Sequence, residues 1–319
     1  MKSLKNILFL VFILILSEYN LYANVNSPYN FLRIIGSARS AGLSGAMLTV
    51  EDDPSSLFFN PATLQTVSDN ALSATFLKNV LDINSGNIIY NFGDSFEDGK
   101  LAASINFTNY GSFEYSDLFS RSGSFSGNDI TAGVTYSNMI DSNIYYGITP
   151  KLVFFSLENS NSLAFALDFG ILYKLKDDRT NIGFSILHTG TQITRLGNNT
   201  ENLPTDVRIG FNHRLKGLPI LINLSLIRLA DQTDNFGQKF RNIVAGVELN
   251  LSKYLDLRFG LDNQIRSNIA QSNDKGISGF SLGFGLKLED FNIDYGYGQY
   301  TPVTALHRFT FTTNFKKML

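Results

Sequence analysis

The stretch Leu255-Asp256-Leu257-Arg258-Phe259-Gly260-Leu261-Asp262 alternates residue by residue. Successive side chains of an extended strand point to opposite faces. Leu255, Leu257, Phe259 and Leu261 therefore share one face, while Asp256, Arg258, Gly260 and Asp262 share the other. Phe280-Ser281-Leu282-Gly283-Phe284-Gly285-Leu286-Lys287-Leu288 and Phe165-Ala166-Leu167-Asp168-Phe169-Gly170-Ile171-Leu172-Tyr173 follow the same rule, and from about Asn70 onward little else is written. In a soluble sheet the apolar face would pack on a core and water would take the other. A polar face crowded with glycines and charges of both signs permits a second solution, with the apolar face toward lipid and the polar face toward a lumen.

The composition points to the second solution. Charged residues make up 17% of the 319, against roughly 25% in ordinary soluble domains, and there are 27 Phe and 14 Tyr but no Trp. The formal net charge is −2 and the only basic run is Lys316-Lys317. A nucleic-acid partner, which requires clustered Lys and Arg, is thereby excluded. The absence of cysteine excludes disulfides, zinc-thiolate sites, thiol nucleophiles and lipoprotein acylation. At the N-terminus Lys2 and Lys5 precede the apolar run Ile7 to Leu16, and Leu21-Tyr22-Ala23 offers a cleavage site before Asn24. That is the pattern of an export signal, and the run falls well short of the roughly 20 residues a membrane helix needs.

Three zones are expected: a signal peptide over 1–23, an N-terminal plug or hatch segment over 24–69, and a transmembrane β-barrel over 70–319. The middle zone lacks alternation and is rich in Gly, Ala, Ser and Asp, as compact irregular structure with a short helix would be. The barrel divides into about fourteen antiparallel strands, near 70–80, 82–93, 99–118, 123–138, 142–158, 161–176, 179–195, 204–215, 219–231, 239–252, 254–267, 275–288, 290–302 and 304–315. Several exceed the five or six residues typical of soluble strands and suit a tilted membrane-spanning one. Alternate joints are short and polar, as at Asp177-Asp178 and Glu289-Asp290; those between are longer, as at 196–203, 231–238 and 268–274. Short turns on one rim and long loops on the other suit an outer-membrane barrel with periplasmic turns.

Parity places Asp168, Arg208, Glu248, Asp256, Arg258, Asp262, Asp294 and Arg308 on the inward face, with Lys174, Arg214 and glycines from Gly183 to Gly298 among them. They read either as a charged solute path or as a closed interior in which opposite charges pair. Mixed signs favour pairing, since an ion-selective pore tends to carry one sign. The three histidines, His188, His213 and His307, fall by the same parity on the outward face. They show no nucleophile–base signature, so no catalytic residue is assigned. No HExxH, phosphate-loop or EF-hand spacing occurs, and neither metal nor cofactor is expected. Glu51-Asp52-Asp53 could hold calcium, but Asp53 before Pro54 reads better as the start of a helix.

The non-alternating zone carries the most specific motif. Gly36-Ser37-Ala38-Arg39-Ser40-Ala41-Gly42-Leu43-Ser44-Gly45-Ala46 is followed by Glu51-Asp52-Asp53 and by Asn60-Pro61-Ala62. Pro61 fixes a turn in which Asn60 can bond its own backbone. This order resembles the N-terminal signature of the PorV/PorQ family, related to FadL-type fatty-acid transporters, and is closest to its PorQ members. Segments such as Leu203-Pro204-Thr205-Asp206-Val207-Arg208-Ile209-Gly210 and His307-Arg308-Phe309-Thr310 also fit. The resemblance implies a FadL-like all-β outer-membrane barrel with a hatch built from Gly36, Ala38, Arg39, Gly42, Gly45, Asp52, Asp53, Asn60, Pro61 and Ala62. It implies a non-enzymatic accessory role in type IX secretion and surface attachment of cargo, in the outer membrane of a Gram-negative-type bacterium. Outer-membrane lipids and other attachment-complex proteins would be the partners. The FadL kinship implies the alternative, passive transport of hydrophobic small molecules such as long-chain fatty acids, with a ligand in the lumen.

Overall fold

The computed structural model describes residues 27–315 except 35, 80–81, 96–97, 116–122, 196–199, 234 and 270–275. The export signal, Lys316-Lys317 and parts of the long joints expected at 196–203, 231–238 and 268–274 lie outside the described residues. Fourteen antiparallel strands close into one barrel, each paired with its sequence neighbours and the first with the last. They are β1 (Ala71–Lys78), β2 (Asn84–Asp94), β3 (Lys100–Glu114), β4 (Ser124–Asp141), β5 (Ile144–Leu157), β6 (Ser160–Lys174) and β7 (Thr180–Thr194), then β8 (Asp206–Arg214), β9 (Ile220–Leu226), β10 (Ile243–Asn250), β11 (Leu255–Asp262), β12 (Phe280–Lys287), β13 (Phe291–Thr301) and β14 (Thr304–Asn314).

The alternation sets the two faces. Ile88, Ile105, Leu152, Leu282 and Phe309 are each about half exposed on the outside. An apolar surface encircling a chain this way is far larger than the patches of soluble monomers. On the inside lie the glycines and the charges. Strand β7 departs from simple parity. Leu187 and His188 together oppose Asp168, a bulge that shifts the register between Leu167 and Phe169 of β6. One extra residue exchanges the two faces beyond it. His188, expected outside, is instead buried inside, with φ of 59°. His213 and His307 do fall on the outward face, bonded to Thr180 and Tyr295.

The two rims differ. Connections on the rim that holds the start of β1 and the end of β14 are short, such as the β6–β7 and β12–β13 turns. The opposite rim carries the long ones, including β7–β8, β9–β10 and β11–β12. There β9, β10 and β11 stop short of the expected lengths. Phe236–Asn242 forms a 3-10 helix, and Asp262 ends β11 by capping the short helix Asn263–Asn268. Its carboxylate accepts from the backbone N–H groups of Gln264 and Ile265.

Residues 27–34 and 36–67 lie within the ring of strands. Three proline-led 3-10 turns follow one local rule: Ser27, Asp53 and Asn60 each precede a proline and accept a hydrogen bond from the N–H two residues on. Proline needs no hydrogen-bond acceptor in a first turn, and the capping oxygen satisfies the next free donor. Between them α1 (Ala38–Gly42) is capped by Ser37. Tyr29, Phe31 and Leu32 pack on Val153, Phe155, Ala164 and Ala166 of the wall, and Leu57, Leu64 and Val67 on Ala71, Ile89 and Ala102. The apolar core of the molecule is thus the contact between this inner segment and the barrel wall.

Candidate solute path and its constriction

Glycines make the seat of the inner segment. Gly246 pairs with Gly260 across β10 and β11, and Gly283 with Gly296 across β12 and β13. Against this flat wall lies the run Ala38 to Ser44. A Cβ on Gly296 would stand 2.2 Å from the carbonyl oxygen of Ala38, and one on Gly42 would stand 3.0 Å from the Cα of Gly283. Backbone meets backbone here, a distance only glycine permits. On the far wall, a Cβ on Gly170 would stand 2.0 Å from Asn60 Oδ1. The Asn60 amide donates to the carbonyls of Leu48 and Ile171, while its oxygen accepts from Ala62 N–H.

Charges lock the same contact. Arg39 donates to both oxygens of Glu248, at 2.8 Å each, and lies 3.6 Å from Asp53. Glu248 stands opposite Arg258 in the β10–β11 register, and Arg258 donates to it at 2.7 Å. Arg258 also meets Asp294, while Asp256 takes Lys287 at 2.7 Å. Burial works against the charged form of Arg39, but Glu248 and then Asp53 outweigh it and hold the guanidinium more firmly protonated than usual. A buried ionic network is tolerated when each member is satisfied in this way.

The other candidates take distinct places. Asp168 receives Lys151 at 2.6 Å and the backbone N–H of His188 at 2.7 Å. Arg208 pairs with Asp206, two residues away on the same face. Arg308 donates to the Ile34 carbonyl at 2.7 Å. Ala38 N–H donates to Thr310, and the Ala62 carbonyl accepts from Ser137. Gly36 lies against the Ser40 side chain, and Gly45 takes the left-handed conformation at φ 79°. Asp53 caps its 3-10 turn, as its place before Pro54 suggested. Asp52 sits beside it at φ 53°, its residue surface exposed but its carboxyl group partly desolvated, and Glu51 bonds Lys174. Burial first, then the charge of Glu51, pushes the Asp52 carboxyl above its ordinary value. Among the described residues no group of three or more His, Cys, Asp or Glu is placed to hold a metal.

Sequence reasoning missed Lys151, and it missed Arg33, which bonds Asp231 at 2.6 Å across 198 residues of sequence. Only the closed topology joins such partners. It also missed how the inner segment divides the lumen. Toward the long-connection rim lies a cavity of about 400 Å³, lined by Ile34, Ala41, Phe59, Ile227 and Leu306 together with Arg228 and Arg308. Toward the short-turn rim lies one of about 410 Å³, lined almost wholly by polar groups such as Arg39, Asp53, Arg214, Glu248 and Asp294. The strip from Arg39 to Gly45 stands between the two.

Neither a family model nor a curated relative matches the chain. Solved structures do. The Pseudomonas putida toluene transporter TodX superposes with a TM-score of 0.60 at 14% identity, covering 88% of this chain and 98% of that one. The Ralstonia pickettii toluene transporter TbuX gives 0.55 at 12% identity over 88% and 98%. A Pseudomonas aeruginosa FadL homologue gives 0.51 at 12% over 88% and 98%. At such identities the likeness concerns the fold, a FadL-like barrel.

Proposed function

We propose that the protein is an outer-membrane channel for small apolar or amphipathic molecules, with the inner segment as its constriction. The seating of that segment carries this reading. It closes the lumen through a glycine belt and two bidentate ion pairs, Arg39–Glu248 and Arg33–Asp231, and it leaves a partly apolar cavity on the outer side and a charged one on the other. A path built to pass ions would instead favour one sign of charge along its length. Three similarly folded proteins, two titled toluene transporters and one a FadL homologue, support the class of solute. The apolar exterior and unequal rims support the outer membrane as its place and lipid as its surroundings. Cells expressing the protein should take up a radiolabelled apolar solute faster than cells carrying an empty vector; equal rates would overturn the reading.

A second reading, the accessory role in type IX secretion that the PorV/PorQ resemblance implies, is supported by one surface feature. On the long-connection rim Phe236 is 73% exposed and Phe240 51% exposed, their rings edge to face at 5.7 Å. Aromatic side chains are enriched at the cores of protein–protein interfaces. Deleting the gene should disturb surface attachment of secreted cargo, and normal attachment would count against this role.

A further inference from the structure

A third, partly open cavity of about 170 Å³ lies between the inner segment and strands β14 and β1 to β4. Its walls are partly apolar, with Phe31, Leu77 and Phe107 among them. Its polar groups are unusual. Arg308 is only 6% exposed, yet its Nη2 donates to a backbone carbonyl, its Nε is buried without an acceptor, and no carboxylate pairs with it among the described residues. Asp129, 2% exposed, also lines the cavity; hydroxyls of Tyr110 and Thr108 donate to it, and no cation pairs with it among the described residues. Asn87 and Asn106 each leave a buried side-chain oxygen without a donor. Buried charges without a counter-charge, and orphaned acceptors, are expensive unless something else completes them.

We propose that this chamber binds a single-ring amphiphile with a carboxylate at one end and a hydroxyl at the other, the carboxylate on Arg308 and the hydroxyl donating to Asp129. A dry cavity of about 150 Å³ holds benzene, so one ring is the size this chamber takes. A plain hydrocarbon would leave the guanidinium and the Asp129 carboxylate unanswered, and a long-chain fatty acid would bring no hydroxyl to Asp129. A bidentate carboxylate supplies what the Arg308 fork lacks. The inference deepens the channel reading by naming a solute class, and it rests on that reading only for the path by which the solute arrives.

The test is equilibrium binding to the purified full chain in detergent, with 4-hydroxybenzoate, benzoate, 4-methylphenol, toluene and palmitate as probes. A hydrogen bond to a charged group is worth roughly tenfold or more in affinity. 4-Hydroxybenzoate should therefore bind at least about tenfold more tightly than benzoate or 4-methylphenol, and toluene more weakly still. Arg308→Met should bring it down to the level of 4-methylphenol, and Asp129→Asn toward that of benzoate. The wild-type probe series needs no variant to fold. Toluene or palmitate binding as tightly as 4-hydroxybenzoate would overturn the proposal. So would folded variants, checked by heat-modifiable migration, that keep full affinity. Binding of 4-hydroxybenzoate by a protein that increases no uptake in cells would overturn the channel reading and leave this one standing.

Discussion

Arg39 grips Glu248 with two parallel hydrogen bonds, Nε to Oε2 and Nη2 to Oε1, both 2.8 Å long. The pair ties the inner segment to strand β10, and Arg258 holds the same carboxylate from strand β11. The two ends of the pair are therefore not equivalent. Glu248→Gln takes the shared carboxylate from two buried guanidiniums at once, leaving Arg39 only Asp53 at 3.6 Å and Arg258 only Asp294 and Asp256, and removing one partner of a buried pair costs up to about 3–5 kcal/mol. Arg39→Met leaves Glu248 still answered by Arg258, so its effect should be smaller. Urea unfolding of the refolded barrel in detergent measures both, and equal losses would show that Arg258 does not share the charge.

The glycine seat makes a prediction of a different kind. Gly296→Val places a side chain where Ala38 O already stands, and Gly170→Leu does the same to Asn60. Overpacking costs typically 1–3 kcal/mol, which raises the population of a displaced segment by roughly 5–150-fold. The wall itself should still close, because the paired strands keep their ladders. Both variants should migrate as folded barrels, leak small hydrophilic solutes from liposomes, and expose residues 27–67 to protease. A variant as tight as wild type would mean that the seat does not hold the constriction.

The exterior gives a direct test of which face meets lipid. Leu282 lies outward in β12, half exposed, flanked across the ladder by Phe259 and Tyr297. An arginine at the bilayer midplane of such a barrel costs about 2–4 kcal/mol. Leu282→Arg should lower stability by that order in phospholipid vesicles. Asn292→Arg, on the wall of the charged inner cavity, should change it little. Similar losses for the two would contradict the assignment of faces.

These tests trace how much of the molecule could be read from the chain. The fourteen strands and the order of short and long joints followed from period two and turn residues, because both are local properties. Asp53-Pro54 and Asn60-Pro61 were legible for the same reason, each cap and proline sitting side by side. His188 was not, since one bulged residue in β7 exchanges inside for outside and no composition marks it. Strand β10 began late and β11 ended early because capping by Asn235 and by Asp262 competes with the ladder for the same backbone groups. The partners Arg39–Glu248, Arg33–Asp231 and Lys151–Asp168 meet through closure of the ring and the path of the inner segment. Sequence spacing carries no trace of such contacts. The division of the lumen into unlike cavities was hidden for the same reason.

Acid should act on this chain in two opposite senses, and the sign can be read residue by residue. Asp52 has its carboxyl raised by burial and by Glu51, so the folded state holds its proton more tightly than the unfolded chain does. Stability then falls as pH rises from the unfolded value near 4 through the folded one. Asp52→Asn keeps a residue that tolerates φ 53° and removes the charge. It should match wild type near pH 3 and be the more stable protein at pH 7. Asp177 runs the other way. Backbone N–H of Arg179, then the hydroxyl and N–H of Thr180, hold its carboxylate below the usual range in the β6–β7 turn. Its contribution is present above the unfolded value and disappears as pH falls through the folded one, so Asp177→Ala should lose stability at pH 7 and little at pH 2. Urea midpoints of the three proteins across that range give the answer. Curves for the Asp52 variant that stay parallel to wild type at every pH would remove Asp52 from the account.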